Sequence, residues 1–362
     1  MARPSQIAHR LKQGVLDVAA RSLRRYGYEL APVARSDGGP PTPGETIPCG
    51  RTEPFTTAEY DVLPKGRFDV ARHDYYSPIP DLSALPGTVW QRQSDMAGVA
   101  ISSLAGMTFI ESELQEFIAE MRVPLRDPGE PGVFFLNNHA FESVDAELLY
   151  GMIRALRPRR VVELGSGYST LVIDMAAKRN ADEGVPTQHV SYDPYPRQHV
   201  LGSTASGPTL EQISATDLPL STFTDLDVGD VLFVDTTHTV KLASDVNFIV
   251  LDVLPRLRPG VVVHFHDIFL PWEYPKVWFS DMGYFWNEQY LLQAFLAFNA
   301  GFQIVIPAQA VAREHPKRLQ HVIPSFATGA SPASMWIMRV TGYDDDGDAI
   351  SSITRHIHKK VK

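Results

Sequence analysis

Two stretches of this chain end apolar runs on residues that can do chemistry. "GDVLFVDTTH" runs into Asp235 and places His238 three residues later; "VVVHFHDIF" runs into Asp267, with His264 and His266 just before it. Aspartate oxygens suit a hard divalent ion such as magnesium. Imidazole suits zinc, manganese or iron better, so a histidine in such a set shifts its preference. Two carboxylates brought together repel unless a cation sits between them. A histidine titrates near neutrality and can take a proton from a substrate hydroxyl, the role open to His238. The plainer alternative is that His238 caps the next helix or only orients Asp235. His264 lies two residues before His266, on the same face of a strand, and reads as a satisfied core histidine.

A third stretch, "ELGSGYST", sits where a strand turns into a helix. Gly165 and Gly167 allow close approach of a ligand to the backbone, and the helix start offers free N–H groups. Glu163 precedes Gly165 by two residues, and the next strand ends on Asp193 of "VSYDPYP". An acid at the end of the second strand can accept both hydroxyls of a ribose. Together these features suit an adenosine-containing ligand. Asp217 of "ATDLPL" is either a partner for an adenine amino group or a turn cap.

The elements that must position these residues alternate. From about residue 131 onward, apolar runs of strand length alternate with helical periodicity, the pattern of a parallel α/β sheet. "SVDAELLYGMIRALRP" reads as a helix capped by Ser143 or Asp145, and "YSTLVIDMAAKRN" and "KLASDVNFIVLDVLPRL" as further helices. "WNEQYLLQAFLAFNAG" reads as a helix that ends at Gly301 and that Asn287 and Glu288 begin, capping being the default for both and a contact to substrate or behind a site residue the alternative. "FQIVIPA" and "SMWIMRV" read as a closing strand pair. Upstream, "ESELQEFIAEMRV" is the clearest helix. The resulting division is an N-terminal helix and Pro/Gly-rich linker at 1–58, an accessory region at 59–130, an α/β domain at 131–340, and a polar, partly ordered tail at 341–362.

The successive motifs "VVELGSGYST", "SYDPYP", "GDVLFVDTTH" and "LPRLRPGVVVHFHDIF" resemble, in order and spacing, those of the class I S-adenosylmethionine-dependent methyltransferases. The nearest resemblance is to the branch of metal-dependent macrolide-sugar O-methyltransferases. It covers about residues 131–340 and implies a doubly wound, mostly parallel seven-stranded sheet in the order 3-2-1-4-5-7-6, the last strand antiparallel. It implies that Glu163, Gly165, Ser166 and Gly167 hold the methionine part of S-adenosylmethionine and that Asp193 holds its ribose. Ser169 stands where the broad family has a third glycine, and its hydroxyl and that of Thr170 then become candidate donors to the cofactor. The resemblance also implies a divalent metal, magnesium or manganese, between Asp235 and Asp267, joined by His266, with His238 as general base. Trp272, Glu273 and Tyr274 lie on a loop that either binds substrate or packs as a lid. The implied reaction is methyl transfer to a hydroxyl of a sugar or other natural product.

Two other classes stay open. A 2-His-1-carboxylate set of His238, His266 and Asp267 would suit an iron hydroxylase or a metal-dependent hydrolase. A cofactor-binding regulatory protein could keep the sheet without the chemistry.

Composition narrows the partners. The net charge of -9 gives no global attraction for nucleic acid, and 44% hydrophobic with 21% charged residues is ordinary for a globular protein. Cys49 is the sole cysteine, so no internal disulfide forms, which fits a reducing, cytoplasmic setting. No apolar run is long enough to span a membrane. The N-terminus lacks the apolar core of a signal peptide and reads as a basic helix with Ile7, Leu11, Val15, Val18 and Leu23 near helical spacing. That helix suits packing on its own protein better than a membrane surface. The acceptor is a small molecule or glycan, and a homo-oligomer is compatible with everything above.

Overall fold

The computed structural model describes residues 76–197, 209–327, 330–341 and 349–360. The expected N-terminal helix, the Pro/Gly-rich linker and Cys49 lie outside the described residues. Residues 81–362 form one compact unit.

Its centre is a seven-stranded sheet: β1 Arg160–Leu164, β2 Gln188–Tyr192, β3 Thr209–Glu211, β4 Val231–Val234, β5 Val262–Phe265, β6 Phe302–Pro307 and β7 Met335–Arg339. The order is β3-β2-β1-β4-β5-β7-β6, as expected. The first five strands run parallel, and β7 is antiparallel to both β5 and β6. Strands β4 and β5 are buried along their whole length, because helices cover both faces of a parallel sheet. Alternation sorts their side chains into two cores. Val231, Phe233 and Val262 join one, while Leu232, Val234, Val263 and Phe265 join the other.

Helix α1 spans Asp145–Leu156 and α2 spans Tyr168–Asp182, both on the first face. Helix α3, Glu288–Leu296, packs on the second. Neither Ser143 nor Asp145 caps α1. The cap position is Val144, at a φ of 68°, and its N–H donates to Glu147 Oε2 at 3.2 Å. Asp145 instead accepts from the N–H groups of Ala333 and Ser334 at 2.9 and 3.0 Å, tying the start of α1 to the chain entering β7.

Three expectations change in detail. The upstream helix is longer than expected: Ser103–Phe109, a wider π turn at Ile110–Leu114, then Gln115–Glu120. Helix α3 ends at Leu296, not Gly301, because Phe298 already has a φ of 56° and its N–H goes to Gly98 O. The polar tail contains helix α4, Ala349–Lys360, which buries Ala349, Ile353 and Ile357 at four-residue spacing in the first core.

The register positions the site. Leu164 pairs with Tyr192 on one side and with Val234 on the other, and Val234 pairs with Phe265. The residues one step beyond these, Asp193, Gly165, Asp235 and His266, therefore share one level at the carboxyl edge of the sheet. The ladder continues through them: Gly165 N–H donates to Tyr192 O, Asp235 N–H to Leu164 O, and His266 N–H to Val234 O, each at 2.9 Å. The chain order reverses between β1 and β4, the place where open α/β sheets bind ligands.

Candidate functional site

Gly165 is the joint between two loops. Its φ is 90°, and a Cβ there would lie 1.9 Å from the carbonyl oxygen of Asp235. Only glycine lets the turn after β1 close onto the end of β4. Gly167 differs, since a Cβ would meet nothing within 4 Å, so the turn opens onto free space there. Ser166 donates to Asp193 Oδ2 through N–H at 2.9 Å and Oγ at 2.6 Å, while Tyr195 N–H takes Oδ1 at 2.7 Å. A carboxylate has about four acceptor sites. Three are taken here, which leaves about one open, or two with the Ser166 hydroxyl turned away.

Three expected cofactor contacts face inward instead. Glu163 is fully buried and accepts from Ser169 Oγ at 2.8 Å and from His189 Nε2 at 3.0 Å. Thr170 Oγ1 accepts from Gly167 N–H at 2.9 Å. These groups brace the turn from below and leave its backbone to face a ligand. Asp217 is exposed on a short 3-10 turn, Ala215–Asp217.

On the neighbouring loops, Asp235, His238 and Asp267 each offer a ligand atom, and these atoms lie within 4.8 Å of one another. His238 Nε2 is 3.1 Å from Asp235 Oδ1 and 3.5 Å from Asp267 Oδ2. His266 is not in this set. Its Nε2 lies 3.6 Å from Asp267 Oδ1, and its ring packs on Phe141 with centroids 4.9 Å apart. The hydroxylase set of His238, His266 and Asp267 is therefore not the one that converges among the described residues. Both His238 and Asp267 have left-handed backbones, with φ of 55° and 57°. Strain of this kind concentrates at functional sites.

Of the two places open to Glu288 in the sequence, a helix cap or a contact behind a site residue, the structure shows the second. It is 1% exposed, and its Oε2 accepts from His238 Nδ1 at 2.8 Å. The first N–H groups of α3 also hold the same loop: Asn287 and Glu288 N–H donate to His238 O at 3.0 and 3.2 Å. Asn287 Oδ1 accepts from Val240 N–H at 2.5 Å rather than capping its own helix. An acid in a first helical turn is common for electrostatic reasons alone, so nothing local in the sequence marks Glu288 as a partner of a residue fifty positions earlier.

Electrostatics follows from three carboxylates around one imidazole. Burial disfavours a charged His238, but hydrogen bonds to Asp235 and Glu288 outweigh it and raise its pKa well above 6.5. Burial pushes Asp235 up, yet His238 and the charge of His266 pull it down to about 2. Burial also raises Asp267, against the pull of His266 and His238. Burial raises Glu288 as well; the proton of the pair belongs on His238, which all three acids face. The clustered acids thus favour the charged form of the imidazole among them, and a divalent cation would offset them more fully.

His264 is a core residue, as expected, but not a satisfied one. It stacks on Phe233 at 4.3 Å, and neither ring nitrogen has a partner among the described residues. Burial and His266 hold its pKa well below 6.5. The Trp272–Tyr274 loop is held against its neighbours. Tyr274 is buried and its hydroxyl accepts from Gln289 N–H at 3.1 Å, Glu273 accepts from Tyr290 Oη at 2.5 Å, and Arg313 lies 4.5 Å over Trp272. Trp286, for which the sequence carries no signal, covers His238 with ring centroids 4.3 Å apart.

Residues 162–268 match a family model described as a methyltransferase domain. An apo-structure of CmcI is similar at 16% identity over 63% of this chain and 84% of that chain, with a TM-score of 0.37. A CmcI structure with Mg and SAM is similar at 18% identity over 62% of this chain and 84% of that one, with a TM-score of 0.35. Likenesses of this depth carry no functional argument. No curated protein matches the chain. Among the described residues, no helix is long and apolar enough to cross a membrane.

Proposed function

We propose that this chain is an S-adenosylmethionine-dependent methyltransferase that moves a methyl group to a hydroxyl oxygen beside a divalent ion. One observation carries the reading: Asp235, His238 and Asp267 converge at the sheet edge, one rung from the glycine turn and in backbone contact with it. A site for an adenosyl ligand and a site for a cation thereby share a wall. The family model over residues 162–268 supports the same reading. We assign the catalytic domain to 131–340 and the accessory region to 59–130.

The residues present fit both groups. The turn at Gly165 and Gly167 presents backbone toward the cofactor, Ser166 and Asp193 meet its ribose, and Glu163, Ser169 and Thr170 fix the turn from beneath. The Asp235 and Asp267 oxygens suit a hard divalent ion such as magnesium or manganese. When bound, that ion would offset the two carboxylates and lower the pKa of a hydroxyl beside it. Methyl transfer is an in-line displacement, so the chain's own part is alignment and removal of one proton. Only in its neutral form can His238 take that proton, and then at Nε2, because Nδ1 is committed to Glu288. Trp286 and the Trp272–Tyr274 loop wall the acceptor side. The acceptor class we propose is a sugar or other natural-product hydroxyl.

A second reading makes His238 the third metal ligand. Its Nε2 lies 3.1 and 3.5 Å from the aspartate oxygens, close to the spacing of about 3 Å between adjacent ligands on an ion with bonds of about 2.1 Å. Metal content of His238→Ala separates the two: a base leaves it unchanged, a ligand lowers it.

The test is incubation of the full chain with S-adenosylmethionine, magnesium or manganese, and a panel of hydroxylated sugars and polyketides. Mass spectrometry should find an acceptor gaining one methyl, S-adenosylhomocysteine as coproduct, and loss of both on chelation. Turnover untouched by chelation would remove the ion. A chain that neither binds S-adenosylmethionine nor transfers its methyl would overturn the proposal.

A further inference from the structure

We infer that Glu288 is the positioning residue that fixes the ring orientation and tautomer of His238, so that Nε2 alone faces Asp235 and Asp267. The inference rests on the proposed reaction only for its consequence. The geometry itself does not depend on which acceptor, or which role for Nε2, proves right.

Chemistry makes the contact directional. An ionised carboxylate only accepts hydrogen bonds, so the 2.8 Å contact to Nδ1 requires the proton to be there. A neutral His238 then has its lone pair on Nε2, the nitrogen 3.1 Å from Asp235 Oδ1 and 3.5 Å from Asp267 Oδ2. That lone pair is the one a base or a metal ligand needs. A partner able to donate at the same place would permit the opposite tautomer, with an N–H aimed into the acidic pocket and no lone pair for either role.

The surroundings show that Glu288 is not placed as an ordinary helix-start acid. Its side chain is buried rather than solvated, and Oε1 has no partner among the described residues. Burying a carboxylate on a single hydrogen bond is costly, so stability alone gives little reason to keep it. The backbone acts together with the side chain. The N–H groups of Asn287 and Glu288 at the start of α3 grip His238 O, and Asn287 Oδ1 holds Val240 N–H, so α3 clamps the chain that leaves the left-handed His238. Two of the free donors at this helix start are thereby satisfied by the residue whose ring the helix orients, and the next, Gln289 N–H, goes to the Tyr274 hydroxyl. Trp286 closes the remaining face of that ring.

The experiment uses the full chain labelled with 15N-histidine, with His238→Asn to assign the ring signals. Wild type should show a downfield, slowly exchanging Nδ1–H resonance for His238. In Glu288→Gln, which keeps size and shape, it should move upfield and exchange faster, and in Glu288→Ala it should vanish. Turnover by Glu288→Gln should fall about 10–100-fold in kcat, with the affinity for S-adenosylmethionine unchanged by calorimetry. A His238 signal unchanged in both variants would overturn the inference, and so would full kcat in Glu288→Gln despite a shifted signal. A fall in kcat with an unaltered signal would reduce Glu288 to a structural part and also overturn it. If no acceptor is methylated by wild type, the proposed function fails, and the 15N shift of Nε2 at a pH where His238 is neutral still decides the tautomer.

Discussion

Replacing Gly165 by alanine strikes the joint between the two halves of the site. The added Cβ would stand 1.9 Å from Asp235 O, where a carbon and a carbonyl oxygen normally stay about 3.3 Å apart. The turn and the end of β4 must then separate by about 1.4 Å. The φ of 90° adds about 1–2 kcal/mol for any residue with a Cβ. Separation also breaks the 2.9 Å bond from Asp235 N–H to Leu164 O, about 0.5–1.5 kcal/mol. Together with the residual clash, a loss of about 3 kcal/mol follows, or about 6–12 °C in melting temperature. Function should suffer further, since a misplacement of about 1 Å costs about 10²-fold in rate, and the moved residue is Asp235 itself. Urea unfolding, calorimetry with S-adenosylmethionine, and manganese binding should all be run on Gly165→Ala. Stability within about 0.5 kcal/mol of wild type, with both ligands bound normally, would refute the argument that this turn and Asp235 are mechanically coupled.

Three further outcomes follow from the site. Asp267→Asn keeps the shape but removes one charge, worth about 4 kcal/mol for each unit of the ion's charge at 4 Å in an effective dielectric of about 20, so manganese affinity should fall by about 10³-fold or more; unchanged metal content would exclude Asp267 as a ligand. His238 has a raised pKa when metal-free, so the stability it contributes is complete below pH 6.5 and lost as pH rises through the raised value. Metal-free wild type should therefore lose melting temperature toward alkaline pH more steeply than His238→Gln, and ion affinity should rise with pH as the ion displaces the proton; parallel pH profiles for the two proteins would contradict this. His264→Phe removes two unpartnered ring nitrogens from the core and should stabilise by about 1–3 kcal/mol. It should also flatten the acid side of the profile, because the depressed pKa of His264 makes wild type lose stability as pH falls below 6.5; destabilisation by this substitution would show that His264 has a partner in solution.

Much of this was legible in the sequence because each strand end is marked by a change in residue type. Asp193, Gly165, Asp235 and Asp267 all end apolar runs, and the sheet register sets the first three on one level. The motif resemblance supplied the strand order, which no local pattern contains. What escaped was non-local or disguised. Glu288 looks like any acid at a helix start, and only the packing of α3 on the second face brings it to His238. Ser169 and Thr170 have hydroxyls at a helix start, and the sequence cannot say that they turn inward to Glu163 and Gly167 N–H. Helix α4 was hidden because its polar residues outnumber the three apolar ones that dock it. The three-residue β3 is too short for any periodicity to register.

The central claim is that the carboxyl edge of this sheet holds S-adenosylmethionine. Calorimetric titration of the cofactor into the full chain tests it most directly, with Asp193→Ala titrated beside wild type. One site per chain is expected, weakened in the variant by about 1.5–3 kcal/mol, the scale of hydrogen bonds to a charged group. No binding by folded wild type, or binding that Asp193→Ala leaves unchanged, would contradict the account.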